Sequence, residues 1–322
     1  MLSFVLLLDN GEARALDTVL DAVLDCDVGV PADSLTVTCP YDSTIRAHAD
    51  KLAAYDGKEL VFMGQLDNIV AVKRGMGVVL QLNARGPAAA LLDNEAEPQT
   101  YRNPTAGLMA RKHLAPFGLQ PVDADALPYS GKLLIDKGTS HWQALCRFCL
   151  MRYGSVPRVE ADGRVYLRGF HPEEQVAFSD GNQGTPYYWL KESQRRHCLL
   201  SEVKLKFRLK NDYHASLKNR NPAARHIRRV RYVNAAADNA SMNTAEKMME
   251  NSNRDSYALT LRCLGCHAAL LGKRATVRDS VLGEISALTV TKVRVTAGRQ
   301  GEISEITLKK ERFDVADELH NK

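Results

Sequence analysis

Lys51-Leu52-Ala53-Ala54-Tyr55, then Asp56-Gly57, then the run from Lys58 to Asn68, is a strand-like stretch, a turn pair and a second strand-like stretch. An Asp-Gly pair between two such runs predicts a tight hairpin, because both central residues of the favoured two-residue turn need positive φ. Downstream, Arg74-Gly75-Met76-Gly77 marks a second turn leading into Val78 to Arg85. Upstream, Phe4 to Leu8 reads as a buried strand closed by the turn Asp9-Asn10-Gly11, and Ser34-Leu35-Thr36-Val37-Thr38 alternates with β-branched residues until Cys39-Pro40-Tyr41-Asp42 stops it. About six short strands in one stretch of chain suit a small antiparallel barrel or sandwich. Leu16, Val19, Leu20, Val23 and Leu24 stand apart, because their spacing taken alone predicts an amphipathic helix.

From Gly86 to about Gly184 the texture changes to short helices and irregular links. Asn103 to His113 predicts a helix with Asn103 as N-cap and Pro104 in the first turn. Ser140-His141-Trp142 opens another, with Leu145, Phe148 and Cys149 on one face and Gly154 at its end. Val156 to Glu160, the turn Ala161-Asp162-Gly163 and Arg164 to Arg168 form a hairpin. The last third returns to β. Val203, Leu205, Phe207 and Leu209 alternate with Lys204, Lys206, Arg208 and Lys210, as expected for a half-buried strand with one wet face. Met242 to Asn253 predicts a helix, Tyr257 to Cys263 a strand, and Ala287 to Thr296 and Ile303 to Lys310 two strands joined through Gly298-Arg299-Gln300-Gly301. The fold class is therefore mainly β (α+β): two antiparallel β-barrel-like domains, residues 1–96 and 186–322, with a small mixed α/β segment, 97–185, inserted between them.

Composition narrows the function. The 322 residues are 45% hydrophobic and 25% charged, with a net charge of +5, which suits a soluble globular protein. A dedicated nucleic-acid binder usually carries a stronger bias gathered on one face. The apolar stretch at the N-terminus is far too short to span a bilayer and lacks the features of a signal peptide. Seven cysteines, an odd number scattered along the chain, fit a reducing cytoplasm better than a disulfide framework.

Motifs with chemistry are few. Cys263-Leu264-Gly265-Cys266-His267 matches the spacing for c-type haem attachment, which requires export, and it falls at the end of a predicted strand. Cys146-Arg147-Phe148-Cys149 is a second C-x-x-C, but it lies on the apolar helix that also carries Trp142, Leu145 and Phe148, where free cysteines behave as small hydrophobes. Neither metal nor haem nor any other cofactor is expected. No nucleophile elbow, H-E-x-x-H, phosphate loop or supported carboxylate pair is present, and no catalytic residue is assigned. The run Arg225-His226-Ile227-Arg228-Arg229-Val230-Arg231 could contact phosphates, but no aromatics accompany it at stacking intervals, and a solvated strand face or charged interface explains it as well.

Several phrases resemble the hub proteins of contractile-tailed phages and phage-tail-like bacteriocins (tailocins), the late control protein D family. Val61-Phe62-Met63-Gly64-Gln65-Leu66-Asp67, then Asn83-Ala84-Arg85-Gly86, then Leu91-Leu92-Asp93-Asn94-Glu95-Ala96-Glu97-Pro98 follow the order of the family's first domain. Pro31-Ala32-Asp33-Ser34-Leu35 resembles an earlier strand entry, Trp142 to Pro157 the inserted domain, and Ala275-Thr276-Val277-Arg278-Asp279 with Ala287 to Leu308 the closing strands. The resemblance implies a long strand where the spacing of Leu16 to Leu24 suggests a helix, and the strand is the reading adopted. It also implies a virion structural protein without enzymatic activity. That protein would be a homotrimer in the baseplate of a tail particle assembled in the bacterial cytoplasm, joining the tail-tube protein to a trimeric spike protein, with wedge and tape-measure proteins as further neighbours. Neither membrane nor specific nucleic-acid recognition is implied. Lys204, Lys206, Arg208, Lys210, Arg228, Arg229 and Arg231 are the basic residues expected to face the lumen or an interface. Two other classes stay in view: a tail-associated peptidoglycan hydrolase and a nucleic-acid-binding module.

Overall fold

A computed structural model of the chain describes residues 1–75, 77–170, 174–181, 183–206, 212–234 and 238–310. The protein is mainly β, with few helices and several sheets. It divides into two compact units. The first comprises residues 1–174, 263–273 and 291–306; the second comprises 175–262, 274–290 and, of the described residues, 307–310.

The first unit opens with β1 (Leu2–Leu8), β2 (Ala13–Ala15), β3 (Asp21–Asp27), β4 (Ser34–Pro40), the short helix α1 (Ser43–His48), β5 (Ala49–Asp56), β6 (Glu59–Arg74) and β7 (Gly77–Arg85). They pair antiparallel in the order β2-β1-β5-β6-β7-β4-β3, and residues 292–298 continue the sheet beside β3. Four strands bury alternate residues: Phe4, Leu6 and Leu8 on β1, Ala22, Leu24 and Cys26 on β3, Leu35, Val37 and Cys39 on β4, Leu80, Leu82 and Ala84 on β7; β5 buries Leu52, Ala53 and Ala54 in succession. That period of two decides only the end of the stretch Leu16 to Leu24: residues 16–20 lie in no strand, and the long strand expected there is confined to Asp21–Asp27. Helical spacing there is overruled because residues 21–27 are held on both sides by partner strands, and Ala22 and Leu24 go to the core while Val23 does not.

β6 is sixteen residues long because it serves two partners. Its first half pairs with β5, down to Gln65 opposite Lys51; its second half pairs with β7, beginning with Gln65 opposite Arg85. The changeover brings backbone close to backbone at Gly64, where a Cβ would lie 2.3 Å from the Arg85 carbonyl oxygen and 2.7 Å from the Phe62 ring. The register shifts between Leu66 and Asn68, so Asp67 is the bulged residue. Its carboxylate accepts from Arg85 Nε at 2.5 Å, and Arg85 Nη2 also donates to Asp93 at 2.6 Å.

The chain then builds α2 (Ala89–Asp93), β8 (Gln99–Arg102), α3 (Ala106–His113), β9 (Gln120–Pro121), β10 (Lys132–Ile135), α4 (His141–Tyr153), β11 (Arg158–Val159) and β12 (Arg164–Tyr166) around one apolar core that includes Leu91, Met109, Leu114, Leu145, Phe148 and Val165. α4 carries a capping box between Ser140 and Gln143 and ends on a left-handed Gly154. α3 corrects the expected cap. Thr105, not Asn103, accepts from Leu108 N, while Asn103 sits at φ 46 with its Oδ1 taking a hydrogen bond from Gly131 N. An N-cap residue needs an extended backbone, which Thr105 has and the left-handed Asn103 lacks, so the helix starts after Thr105. His113 is buried, with its Nδ1 3.0 Å from Nδ1 of the half-buried His141 and its Nε2 3.2 Å from the Tyr101 hydroxyl.

The second unit contains β13 (Gln175–Ser179), β14 (Thr185–Pro186), β15 (Trp189–Gln194), β16 (Glu202–Lys206), β17 (Ala215–Lys218), β18 (Val230–Asn234), α5 (Asp238–Asp255), β19 (Tyr257–Leu264) up to Arg262, β20 (Arg274–Asp279), the N-terminal part of β21 (Gly283–Gly298) and the end of β22 (Gly301–Lys310). β14, β13 and β20 run parallel, β20 meets β21 antiparallel, and β15 lies antiparallel on residues 257–262 of β19.

The changeover on β6 predicts that Gly64→Ala destabilises the protein by about 3 kcal/mol, since backbone at Arg85 has to move. The neighbouring Gln65→Ala should stay within about 0.5 kcal/mol; urea unfolding of both variants checks this. Burial, then the proximity of His141, holds the His113 pKa down to about 4 from 6.5. The unfolded chain therefore takes up a proton that the folded chain refuses between these values. Stability should fall as pH drops from about 6.5 to about 4, by up to roughly 3 kcal/mol from this residue. His113→Gln should flatten that part of the urea-midpoint profile.

Candidate assembly surfaces

β17, β16 and β18 form a three-stranded sheet, with β17 antiparallel and β18 parallel to the central strand. Alternation along β16 turns Val203 and Leu205 to one face, where Leu217, Val233, Ala245 and Met249 join them under α5. The opposite face carries Lys204 and Lys206 from β16, in register with Ser216 on β17 and with Tyr232 and Asn234 on β18. Lys218 lies on the same face, opposite Glu202. Tyr232 is 60% exposed and meets Tyr213 edge to face at 4.9 Å, and the Tyr213 hydroxyl donates to Asn234 Oδ1 at 2.5 Å. The result is a wet, basic and partly aromatic face backed by an apolar one.

Among the described residues, the expected basic side chains do not all lie on one face. Lys204 and Lys206 share the open face. Arg231 is in register with Val203 and so lies on the other side, exposed beside the helix-covered core, and Arg228 is also exposed. Arg229 is structural: its N–H donates to Ser201 Oγ at 3.0 Å, its carbonyl accepts from Ser201 N at 2.9 Å, and its guanidinium reaches the Leu199 carbonyl at 3.4 Å. Arg208 and Lys210 lie outside the described residues. Lys218, Tyr213 and Tyr232 complete the face but were not expected from the sequence; β17 is four residues long, too short for its alternation to stand out.

Burial sets the state of the free thiols. Cys149 on α4 is fully buried, and burial pushes the Cys146 thiol up to about 12. Burial likewise raises Cys263 and Cys266 to about 11 each. A thiol so disposed stays protonated at neutral pH, whereas metal ligation needs thiolate. Among the described residues, no three His, Cys, Asp or Glu side chains are grouped to hold a metal ion. Also among them, no helix is long and apolar enough to cross a membrane.

No protein-family model matches the chain, and no curated protein matches it in sequence. Its fold is nonetheless that of phage tail proteins. A tail protein from Neisseria meningitidis MC58 is similar over 96% of both chains, with 21% identity and a TM-score of 0.75. The 43 kDa tail protein of prophage MuSo2 from Shewanella oneidensis is similar over 96% of this chain and 98% of its own, with 14% identity and a TM-score of 0.78. A third neighbour, the E. coli c3393 protein, is a component of the type VI secretion system with structural similarity to the T4 bacteriophage tail proteins gp27 and gp5; it matches 90% of this chain and 73% of its own, with 9% identity and a TM-score of 0.51.

The raised thiols predict that Cys149 and Cys263 resist iodoacetamide at neutral pH in the folded protein and react on unfolding. Elemental analysis should return zinc well below one equivalent per chain.

Proposed function

We propose that the chain is a non-enzymatic structural protein, the hub of a contractile-tail baseplate. In this reading residues 1–96 and 186–322 each supply one tube-like unit, with 97–185 inserted. Three chains then present about six similar units around an axis, matching a sixfold tube on one side and a threefold spike on the other. The observation that carries the reading is the likeness to two tail proteins over nearly the whole of both chains. The type VI component, itself similar to T4 gp27 and gp5, supports a place in a contractile system in particular. The basic face of β16 and β17 suits a contact or lumen surface that stays wet until the tail assembles, since such a face costs little while solvated.

The test is co-expression with the neighbouring spike protein, followed by native mass measurement. A complex with three copies of each is expected. A monomer or dimer that ignores the spike removes the hub reading. Lys204→Glu with Lys206→Glu should leave stability within about 0.5 kcal/mol yet reduce recovery of the assembled complex.

A further inference from the structure

Positive charge in this chain is gathered, not spread. Residues 195–231 hold twelve lysines and arginines against two acids, while the whole chain carries a net charge of only +5. Basic residues concentrated in one stretch are the electrostatic footprint of a polyanionic partner, and a mild overall balance hides it. The sheet of β17, β16 and β18 folds part of this stretch onto one open face. Lys204 and Lys206 alternate along β16, and Lys218 of β17 stands opposite Glu202. Among the described residues none of these three ammonium groups has a carboxylate partner, and Glu202 is the only acid in register on that face.

Two residues along one strand separate Lys204 from Lys206 by roughly 6.6 Å, close to the spacing of successive phosphates on an extended nucleic-acid strand. Alternate carboxylates of an acidic peptide meet the same spacing, so charge alone does not identify the partner. The tyrosines do. The basic run Arg225 to Arg231 has no aromatics at stacking intervals, but the sheet supplies them from neighbouring positions. Tyr232 on β18 is in register with Lys204 and is 60% exposed. Tyr213 meets it edge to face at 4.9 Å and is itself held by the bond from its hydroxyl to Asn234. That contact takes at most one side of the Tyr232 ring. The face of an aromatic ring carries negative charge and repels a carboxylate, whereas a planar base stacks on it.

We propose that this face binds single-stranded nucleic acid without sequence preference. Lys204, Lys206 and Lys218 hold phosphates, and Tyr232 stacks a base. The cations supply a salt-dependent affinity that any polyanion shares, and the ring selects a strand that carries bases. The inference goes beyond the hub reading and rests on the sheet of the second unit alone; it needs neither a trimer nor a spike.

The test is fluorescence anisotropy of the full chain with three labelled probes of equal charge: an oligothymidylate, the same backbone with abasic sugars, and poly-glutamate. The oligothymidylate should bind saturably at low salt, with log K falling against log salt at a slope of about −2, as three phosphate contacts predict. Lys204→Ala with Lys206→Ala should make that slope shallower by about 1.4. Tyr232→Ala should weaken the oligothymidylate about tenfold, the loss expected for one stacked base, and leave the slope unchanged. The abasic probe should bind about tenfold more weakly to the unaltered chain and be indifferent to Tyr232→Ala; if that variant does not fold, the abasic comparison carries the same test. Equal affinity for the abasic probe overturns the nucleic-acid assignment, because no base is then recognised. Poly-glutamate binding as tightly as the oligothymidylate gives the face to an acidic protein partner instead. No saturable binding, or a slope unaltered by the lysine variants, overturns the face as a site. None of these outcomes alters the stoichiometry of the complex with the spike, so the two readings fail separately.

Discussion

The fold of the first unit depends on one strand changing partners in mid-course. β6 leaves β5 and takes up β7 at Gln65, and the changeover requires the backbone at Gly64 to pass so close to Arg85 that no side chain fits. Everything near this point is committed to it. Phe62 fills the core beneath, Asp67 bulges out of the ladder, and its carboxylate reaches back to Arg85, which Asp93 grips from the other side. The same residue pairs through its backbone with Ser34 of β4. Arg85 therefore ties three strands and the first helix of the following segment to one position, and only a glycine next to it makes that possible.

The phrase Leu91 to Ala96 continues the same logic. Leu91 is fully buried, the Asn94 carbonyl accepts from His141 N, Ala96 N donates to the Thr139 carbonyl, and the Glu95 carboxylate accepts from Gly138 N at 2.5 Å. This short stretch is the seat on which the N-terminus of α4 rests. The distinctive phrases of the sequence thus sit at backbone junctions, not at a centre of chemistry.

Turns were the most legible feature of the sequence. Gly57, Gly163 and Gly301 all adopt positive φ between paired strands, but the first hairpin turns on Gly57-Lys58, with Asp56 paired to Glu59 and only the glycine at positive φ, not on Asp56-Gly57. The start of α4 at Ser140 and its end at Gly154 were equally plain. The stretch Leu16 to Leu24 was not, because helical spacing is a local signal while strand pairing on both sides is a tertiary one, and the tertiary term prevails. The cap of α3 was displaced because the Asn103 side chain is committed to Gly131, 28 positions away. At the surfaces, the charge of β16 could be read directly, but its continuation onto Lys218 and the two tyrosines could not, since only the sheet brings these strands together. The Arg158–Asp33 pair is the extreme case: both residues are ordinary in sequence, and nothing local links positions 125 apart.

The central claim is that this fold serves as a joint between a tube and a spike. Cryo-electron microscopy of the intact tail particle, at a resolution that traces strands, tests it most directly. The account predicts three copies of this chain in one ring where the tube meets the spike, with both units of each chain contributing to the ring wall. A particle in which the chain is absent from that ring, or occupies the tube or sheath in multiples of six, would contradict it.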